Sequence, residues 1–285
     1  MAPRTVSVVN MKGGVGKSTT VACLAEALSA ENQLRVLVID LDPQSNVSMM
    51  RAGPDRWAEL RNGAKTIDEY FNQYVYGGQP RFFREFIANG VSDIVGEPQL
   101  DLLISTPEFR YIERHALEKW VGQGFDIRQL NQRFSRLTQS AIENVGDSYD
   151  LVLFDCPPGM SMFAEAAIEL SEFIVIPTIP DYVSRLGIFA FRKRAIRSME
   201  QRRFTEDRIW TLITKYEDRN TLHRSEAALL AEQFKVFETV VPQAESIARA
   251  AEWSESKRTL DQKYGEAANV VRTLAAEFRE RVGLI

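Results

Sequence analysis

A glycine-rich turn that carries two lysines lies near the start of the chain, between a segment of strand character and a segment of helix character. The turn consists of Lys12, Gly13, Gly14, Val15, Gly16, Lys17, Ser18 and Thr19. Residues 5–9 before it form a short β-branched run typical of a buried parallel strand, and apolar residues repeat at helical spacing over residues 21–28 after it. Because glycines let backbone N–H groups wrap a polyphosphate at the start of a helix, the turn predicts a nucleoside triphosphate site.

The side chains in this turn have separate predicted roles in holding the nucleotide. Lys17 would neutralise the β- and γ-phosphates, Ser18 would place its hydroxyl on Mg²⁺, and Thr19 would lie near the α-phosphate. The general phosphate-loop pattern has a glycine five residues before the Gly-Lys pair, where this chain has Met11. Lys12 is an additional cation that the general pattern does not require.

Acidic residues follow two further apolar runs that read as buried strands. Residues 35–39 lead into Asp40 and Asp42, and residues 151–154 lead into Asp155. Because ligands of open α/β sheets bind at the carboxyl ends of the strands, these acids are expected beside the phosphates and their metal ion. Many buried strands end in an acid, so it is the order of the three segments that carries the prediction.

The sequence Lys-Gly-Gly-Val-Gly-Lys-Ser-Thr at 12–19, together with Asp-Leu-Asp-Pro-Gln at 40–44, resembles the deviant Walker A ATPases of the ParA/MinD type, and is closest to the ParA/Soj partition proteins. The resemblance implies ATP and Mg²⁺ as cofactors and a homodimer that forms on ATP binding. Lys12 would reach the partner's nucleotide, and Asp42 would orient or activate the attacking water. Ser18 would hold Mg²⁺, with Asp40 and Asp155 acting on the ion through water.

The order of segments also predicts the architecture. We expect an α/β fold with a twisted, mainly parallel sheet of about seven or eight strands and helices on both faces. Residues 173–177, 209–214 and 236–242 read as later strands, and the resemblance places adenine near 214–220 and 242–243. A single ATPase domain over 1–285 is expected, with a less regular helical and aromatic excursion near 51–97. We expect that excursion to pack its aromatics on the core, which is favoured over a separate cargo module.

The charge distribution raises the question of nucleic acid. A formal net charge of −4 and a pI near 5.5 argue mildly against it, but residues 184–203 form a basic amphipathic helix. A solvated helix face is the alternative interpretation. ParA dimers bind DNA without sequence preference, so the resemblance implies DNA contacts from basic residues in the second half of the chain. The candidates are Arg192, Lys193, Arg194, Arg197, Arg219, Arg224 and Arg249.

The resemblance implies a slow ATP hydrolase that is stimulated by a ParB-like adaptor and partitions or positions a plasmid, a chromosome origin or a protein complex. The main alternative is a MinD-like ATPase that cycles on membranes. Residues 267–282 carry an apolar stripe, but this stretch coincides with the final core helix of ParA proteins, so the resemblance favours a core helix over a membrane-binding one. A metabolic P-loop ligase or reductase would need a second-substrate constellation that the sequence does not display.

Two further patterns bear on localisation and redox chemistry. The sequence has no run of 18 apolar residues and no basic-then-apolar leader, so we expect a cytoplasmic protein that associates with the nucleoid when ATP is bound. Cys23 and Cys156 are too few for a disulfide framework and are expected to be buried thiols. The related nitrogenase iron protein shares an iron–sulfur cluster between subunits, but neither cysteine here has the surroundings of its ligands.

Overall fold

A single parallel sheet forms the centre of the molecule. The computed structural model describes residues 2–77, 81–96, 98–199 and 206–284, without the side chains of residues 194, 197–199 and 206. Its strands are β1 (Arg4–Val8), β2 (Val36–Asp40), β3 (Leu100–Leu103), β4 (Leu151–Asp155), β5 (Phe173–Thr178) and β6 (Ile209–Ile213). They lie in the order β3-β2-β4-β1-β5-β6, and every neighbouring pair is parallel. The predicted fold class is confirmed.

Helices cover both faces of the sheet. They are α1 (Lys17–Ala30), α2 (Asn46–Ala52), α3 (Pro54–Asn62), α4 (Ile67–Val75), α5 (Ile112–Val121), α6 (Ile127–Val145), α7 (Met162–Leu170), α8 (Tyr182–Met199), α9 (Thr221–Gln233), α10 (Glu245–Ala250), α11 (Leu260–Tyr264) and α12 (Ala268–Val282). Alternate strand residues point to opposite faces. Val152 and Phe154 of β4 therefore join one buried cluster, with residues of α4 to α9, while Leu151 and Leu153 join a second cluster with α1 and α12.

The sheet has fewer strands than the seven or eight that the sequence predicts, because residues 236–242 do not form a continuous strand. This segment makes single parallel bridges at Val236 and Pro242, and between them the N–H groups of Glu238 and Thr239 donate to the carboxylate of Glu277. An acidic side chain from α12 thus takes the place of the strand partner. Within the described ranges the sheet therefore has six strands.

The segment between β2 and β3 is largely helical. It contains α2, α3, α4 and a 3₁₀ turn at Phe83–Phe86. Tyr70, Phe71, Phe83 and Phe86 are buried in the same cluster as strand residues of β4, and the rings of Tyr70 and Phe83 meet edge to face at 4.9 Å between centroids. Edge-to-face contact of this kind adds to the stabilisation that burial provides. Phe82, by contrast, is exposed.

None of the helices in the described ranges combines the length and the apolar character that crossing a membrane requires.

Candidate functional site

The glycine-rich turn connects β1 to α1 at the carboxyl edge of the sheet. Gly14 and Gly16 adopt φ angles of 74° and 85°, which side chains other than glycine rarely adopt. Val15 between them is buried, and the hydroxyl of Thr214 donates to its carbonyl at 2.8 Å. Among the described residues, no side chain caps the start of α1. The free N–H groups of its first turn and the positive end of the helix dipole therefore remain available for an anion.

An open cavity of about 300 Å³ lies over this turn. Its walls are Gly13, Gly14, Gly16, Lys17, Ser18, Thr19, Asp42, Gln44, Asn46, Met50, Pro158 and Lys215. The structure thus brings most of the predicted phosphate-binding residues together with Asp42. Asn46 and Met50 also line the cavity and were not predicted from the sequence, while Lys215 belongs to the segment 214–220 that the resemblance places near adenine.

Lys17 is buried against the turn, with its ammonium 3.2 Å from the carbonyl oxygen of Lys12. Burial lowers its pKa, while the charges of Asp155 and Asp42 oppose that shift. Within the described residues a carbonyl is the only hydrogen-bond partner of the Lys17 ammonium, and a polyphosphate in the cavity would supply negative charge there. The geometry therefore suits the predicted role of Lys17 in neutralising phosphate.

Asp155 is completely buried at the end of β4, and neither of its carboxylate oxygens has a hydrogen-bond partner within the described part of the chain. Burial raises its pKa to about 7, the charge of Asp42 adds to the shift, and Ser18 and Lys17 oppose it. An unpartnered carboxylate beside a serine hydroxyl is a donor set that fits Mg²⁺.

Mg²⁺ would need ligands beyond these two side chains. The described residues form no group of three or more acidic, histidine or cysteine side chains that could hold a metal ion. Phosphate oxygens and water would have to complete the coordination, as is usual for Mg²⁺ in nucleotide sites. Ser18 and Asp155 are the residues that would hold the ion, whose charge would stabilise the negative charge on the phosphates.

Asp40, the last residue of β2, and Asp42, in the loop after it, have different environments. Both carboxylate oxygens of Asp40 accept hydrogen bonds from its own loop and from α2, from the N–H of Asp42 at 3.0 Å and from the hydroxyl of Ser48 at 2.6 Å. Asp40 therefore organises this loop, and burial together with the charge of Asp155 raises its pKa well above the usual value. Asp42 faces the phosphate cavity and accepts one N–H, from Gln44 at 2.9 Å.

Lys12 does not line the phosphate cavity of its own chain. Its ammonium lies 3.0 Å from a carboxylate oxygen of Asp181 and 3.0 Å from the hydroxyl of Ser184, at the start of α8. The side chain is 43% exposed. Of the two lysines in the turn, Lys17 therefore points into the cavity and Lys12 points to the outer surface beside it.

A second cavity of about 200 Å³ adjoins the first. It is mainly apolar and is lined by Thr214, Lys215, Pro242, Gln243 and residues of α1, α10 and α12. This is where the resemblance placed adenine. An apolar cavity with a few polar groups beside a phosphate site has the character of a base pocket.

Comparison with known proteins agrees with the geometry of the phosphate loop. The AAA domain family AAA_31 matches residues 3–207. The chain belongs to this family. The chromosome-partitioning ATPase Soj of Thermus thermophilus is 28% identical over 287 residues, covering 98% of this chain and 96% of Soj. The prediction that the chain is a P-loop ATPase of the ParA/MinD type is thereby confirmed.

Solved structures show the same fold. A plasmid partition protein from Borrelia burgdorferi, bound to AMPPNP, has a TM-score of 0.70 and 19% identity, covering 96% of this chain and 99% of that one. Cobyrinic acid a,c-diamide synthase from Mycobacterium smegmatis, with bound ADP and magnesium, has a TM-score of 0.70 and 20% identity, covering 98% and 95%. A partition protein and a metabolic synthase thus share this architecture, so the architecture alone does not distinguish their activities.

The basic residues that the ParA resemblance predicts to contact DNA differ in their exposure and in their contacts. Arg192 donates to the carbonyl of Ile209 at 3.2 Å, and Arg249 pairs with Glu245 at 2.7 Å. Lys193, Arg219 and Arg224 are exposed, and no ion pair is present at any of the three within the described ranges. Arg194 and Arg197 lie on α8, but their side chains are outside the described part of the structure.

Both cysteines are buried thiols, as the sequence predicts. Burial raises the pKa of Cys23 and that of Cys156, and the charge of Asp155 adds to the shift at Cys156. Protonated, enclosed thiols are poor metal ligands. The described residues therefore give the iron–sulfur alternative no support.

A buried cluster of charges beside the nucleotide site was not predicted from the sequence. Arg51 of α2 has no exposed side-chain surface and pairs with Glu26 of α1. Lys263 of α11 bonds to Glu26 at 2.7 Å and also to Asp93, which pairs with Arg258. We call these five residues the buried ion cluster. It connects the helix after the glycine turn to the helix after Asp42.

Proposed function

We propose that this chain is a partitioning ATPase of the ParA type, which forms a sandwich dimer on ATP and binds DNA without sequence preference. In this cycle hydrolysis is slow in the isolated protein and faster with a ParB-like adaptor, and it releases the dimer from DNA. The cargo, whether a plasmid, a chromosome origin or a protein complex, follows the adaptor. The similarity to Soj along nearly the whole chain supports this proposal.

The position of Lys12 is the observation that supports the proposed dimer most strongly. Lys12 does not line the phosphate cavity of its own chain, and its side chain is 43% exposed. A cation in that position can serve a nucleotide that approaches from a second subunit. In other phosphoryl-transfer enzymes a cation supplied in trans stabilises the charge on the transferring phosphate. We infer that each subunit supplies Lys12 to its partner's site.

Two substitutions test the roles within one subunit. Lys17→Ala should abolish nucleotide binding, because it removes the buried cation of the phosphate cavity. Asp42→Ala should bind ATP and form the dimer without hydrolysing it, because the carboxylate that would orient water is lost. Asp55→Ala, at an exposed acid of α3, is the matched control. Equilibrium binding and phosphate release measure both steps, and full turnover by Asp42→Ala would refute its assigned role.

Direct binding measurements distinguish DNA from membrane as the second partner. Filter binding to duplexes of unrelated sequence and flotation with anionic vesicles, each with and without ATP, should show ATP-dependent retention on DNA alone. Flotation with vesicles would instead support a MinD-like cycle. The exposed Lys193, Arg219 and Arg224 favour DNA, because exposed basic side chains bind phosphate without sequence preference.

A metabolic ligase or reductase is a separate alternative, because a synthase shares the architecture of this chain. Its prediction is ATP hydrolysis that depends on a small carboxylic acid substrate, and a screen of such acids tests it. Our proposal predicts stimulation by adaptor and DNA and no stimulation by these acids.

A further inference from the structure

The base cavity and the phosphate cavity share three lining residues, Gly16, Thr19 and Lys215. A nucleotide with its base in one cavity and its β- and γ-phosphates in the other must pass its ribose and α-phosphate through this junction. Gly16 offers only backbone there, and Thr19 offers a hydroxyl. Lys215 is the one cationic residue common to both lining sets.

Lys215 has an unusual backbone conformation. Its φ angle is 51°, in the left-handed region that costs a long side chain roughly 1 kcal/mol or more. Its neighbours hold it there. The N–H of Thr214 donates to the carbonyl of Thr178 at 2.8 Å, and the N–H of Tyr216 donates to that of Val241 at 3.1 Å. Strain that the surrounding structure enforces is often found at ligand clamps.

The ammonium of Lys215 is also available. The residue is exposed, and within the described ranges its side chain makes neither a hydrogen bond nor an ion pair. The other two lysines of the site differ, because Lys12 pairs with Asp181 and Lys17 donates to a carbonyl. An unpaired cation at the rim of a phosphate cavity lacks the counter-charge that a bound phosphate would supply.

We propose that Lys215 binds the α-phosphate of the nucleotide. This inference rests on the nucleotide binding in the proposed function, and it adds a contact from the segment after β6 to those of the glycine turn. Because AMP, ADP and ATP share the α-phosphate, the contact would contribute to the affinity for all three. It would contribute nothing to adenosine.

The test uses the full chain with Lys215→Met, which keeps an unbranched stem and the same backbone requirement but removes the charge. Calorimetric titrations with ATP, ADP, AMP and adenosine should show about tenfold weaker binding of the three phosphates, the size expected for one charge-assisted hydrogen bond. Adenosine binding should not change. Lys215→Arg should restore most of the affinity for AMP, and Lys65→Met, at an exposed lysine outside both cavities, should match the wild type.

The outcomes separate this proposal from its alternatives. Loss of ATP affinity with unchanged AMP affinity would place Lys215 on the β- or γ-phosphate and overturn the proposal. Equal loss for adenosine would show that the substitution disturbs the base cavity, and unchanged affinity throughout would show that Lys215 makes no contact. A wild-type chain that binds none of the four ligands would refute the proposed function itself.

Discussion

The ammonium of Lys12 lies 3.0 Å from a carboxylate oxygen of Asp181 in the same chain. Ser184 completes this arrangement with a second contact to the ammonium at 3.0 Å. If Lys12 acts on the partner's nucleotide, as we propose, these intrachain contacts hold it beside the dimer face and must break when the dimer forms. Asp181 and Ser184 would then compete with the partner's phosphates for the same cation.

Removing that competition should favour the dimer. Asp181→Asn should tighten ATP-dependent dimerisation by about twofold to thirtyfold, because each of the two subunits gives up a partly exposed ion pair that contributes roughly 0.2 to 1 kcal/mol. Analytical ultracentrifugation with a non-hydrolysable ATP analogue measures the dimer constant. Asp207→Asn removes another exposed acid that pairs with a lysine, Lys235, and serves as the control. A weaker dimer in Asp181→Asn would mean that the pair belongs to the active arrangement.

The buried ion cluster should matter much more for folding than surface pairs do. Arg51→Met should lower the free energy of unfolding by about 3 to 5 kcal/mol, because it leaves Glu26 and Asp93 buried with fewer cations. Arg61→Met is a suitable comparison, since Arg61 pairs with Glu108 at an exposed site and should cost under about 1 kcal/mol. Urea unfolding of both variants gives the comparison. Equal losses would show that the cluster contributes no special stability.

The same cluster predicts a pH dependence of stability. Burial lowers the pKa of Lys263 from 10.5 to about 7, Arg51 adds to the lowering, and Asp93 opposes it. The other charged members are Glu26 and Arg258, and the cluster is neutral when Lys263 is uncharged. The buried Tyr264 and Cys23 also face it.

The direction of this pH dependence follows from the number of protons that the folded and unfolded chains bind. Between pH 7 and 10.5 the unfolded chain keeps the Lys263 proton that the folded chain has released, so stability should rise with pH over this interval. Below pH 7 both states are protonated and this contribution is constant. Lys263→Met should remove the rise, as measured by urea unfolding at pH 7 and pH 9. An unchanged rise in Lys263→Met would assign it to another group.

The exposed basic residues should dominate DNA binding. If Lys193, Arg219 and Arg224 contact phosphates, replacing each by alanine should reduce the slope of log K against log salt by about 0.9. Arg249 is already paired with Glu245, so its replacement should have a smaller effect. Lys65→Ala, at an exposed lysine in the loop after α3, is the control for a general loss of positive charge. Filter binding over a salt series with ATP present gives the slopes, and unchanged slopes in all three variants would move the DNA surface elsewhere.

The nucleotide chemistry could be predicted from sequence because it depends on contiguous motifs. The acids at 40 and 155 are the last residues of β2 and β4, and the turn at 12–19 lies shortly after β1, so the parallel sheet brings them to one edge. In the parallel pairing of β2 with β4, Asp40 lies opposite Asp155, as expected for acids at the carboxyl ends of neighbouring strands.

Features that depend on distant residues could not be predicted in this way. β3 has four residues with a polar Asp101 among them, and only its pairing with β2 makes it a strand. The buried ion cluster joins residues 26, 51, 93, 258 and 263, which no periodicity relates. Lys215 follows a strand as Asp42 does, but its unpaired state and left-handed backbone appear only in the fold.

The central claim is that Lys12 acts across the dimer, and complementation tests it most directly. Lys12→Ala alone should bind ATP but not hydrolyse it, and Lys17→Ala alone should not bind ATP. In a mixed dimer, the intact phosphate cavity of the Lys12→Ala subunit faces an intact Lys12 from its partner. Hydrolysis should therefore return in the mixture, since a cation supplied in trans contributes on the order of 10³ to 10⁵ to turnover.

The measurement is phosphate release from the mixture, with native mass spectrometry to show that mixed dimers form. We predict activity in the mixture and none in either variant alone. Efficient hydrolysis by Lys12→Ala alone, or an inactive mixture that contains mixed dimers, would contradict the account and show that Lys12 serves its own subunit.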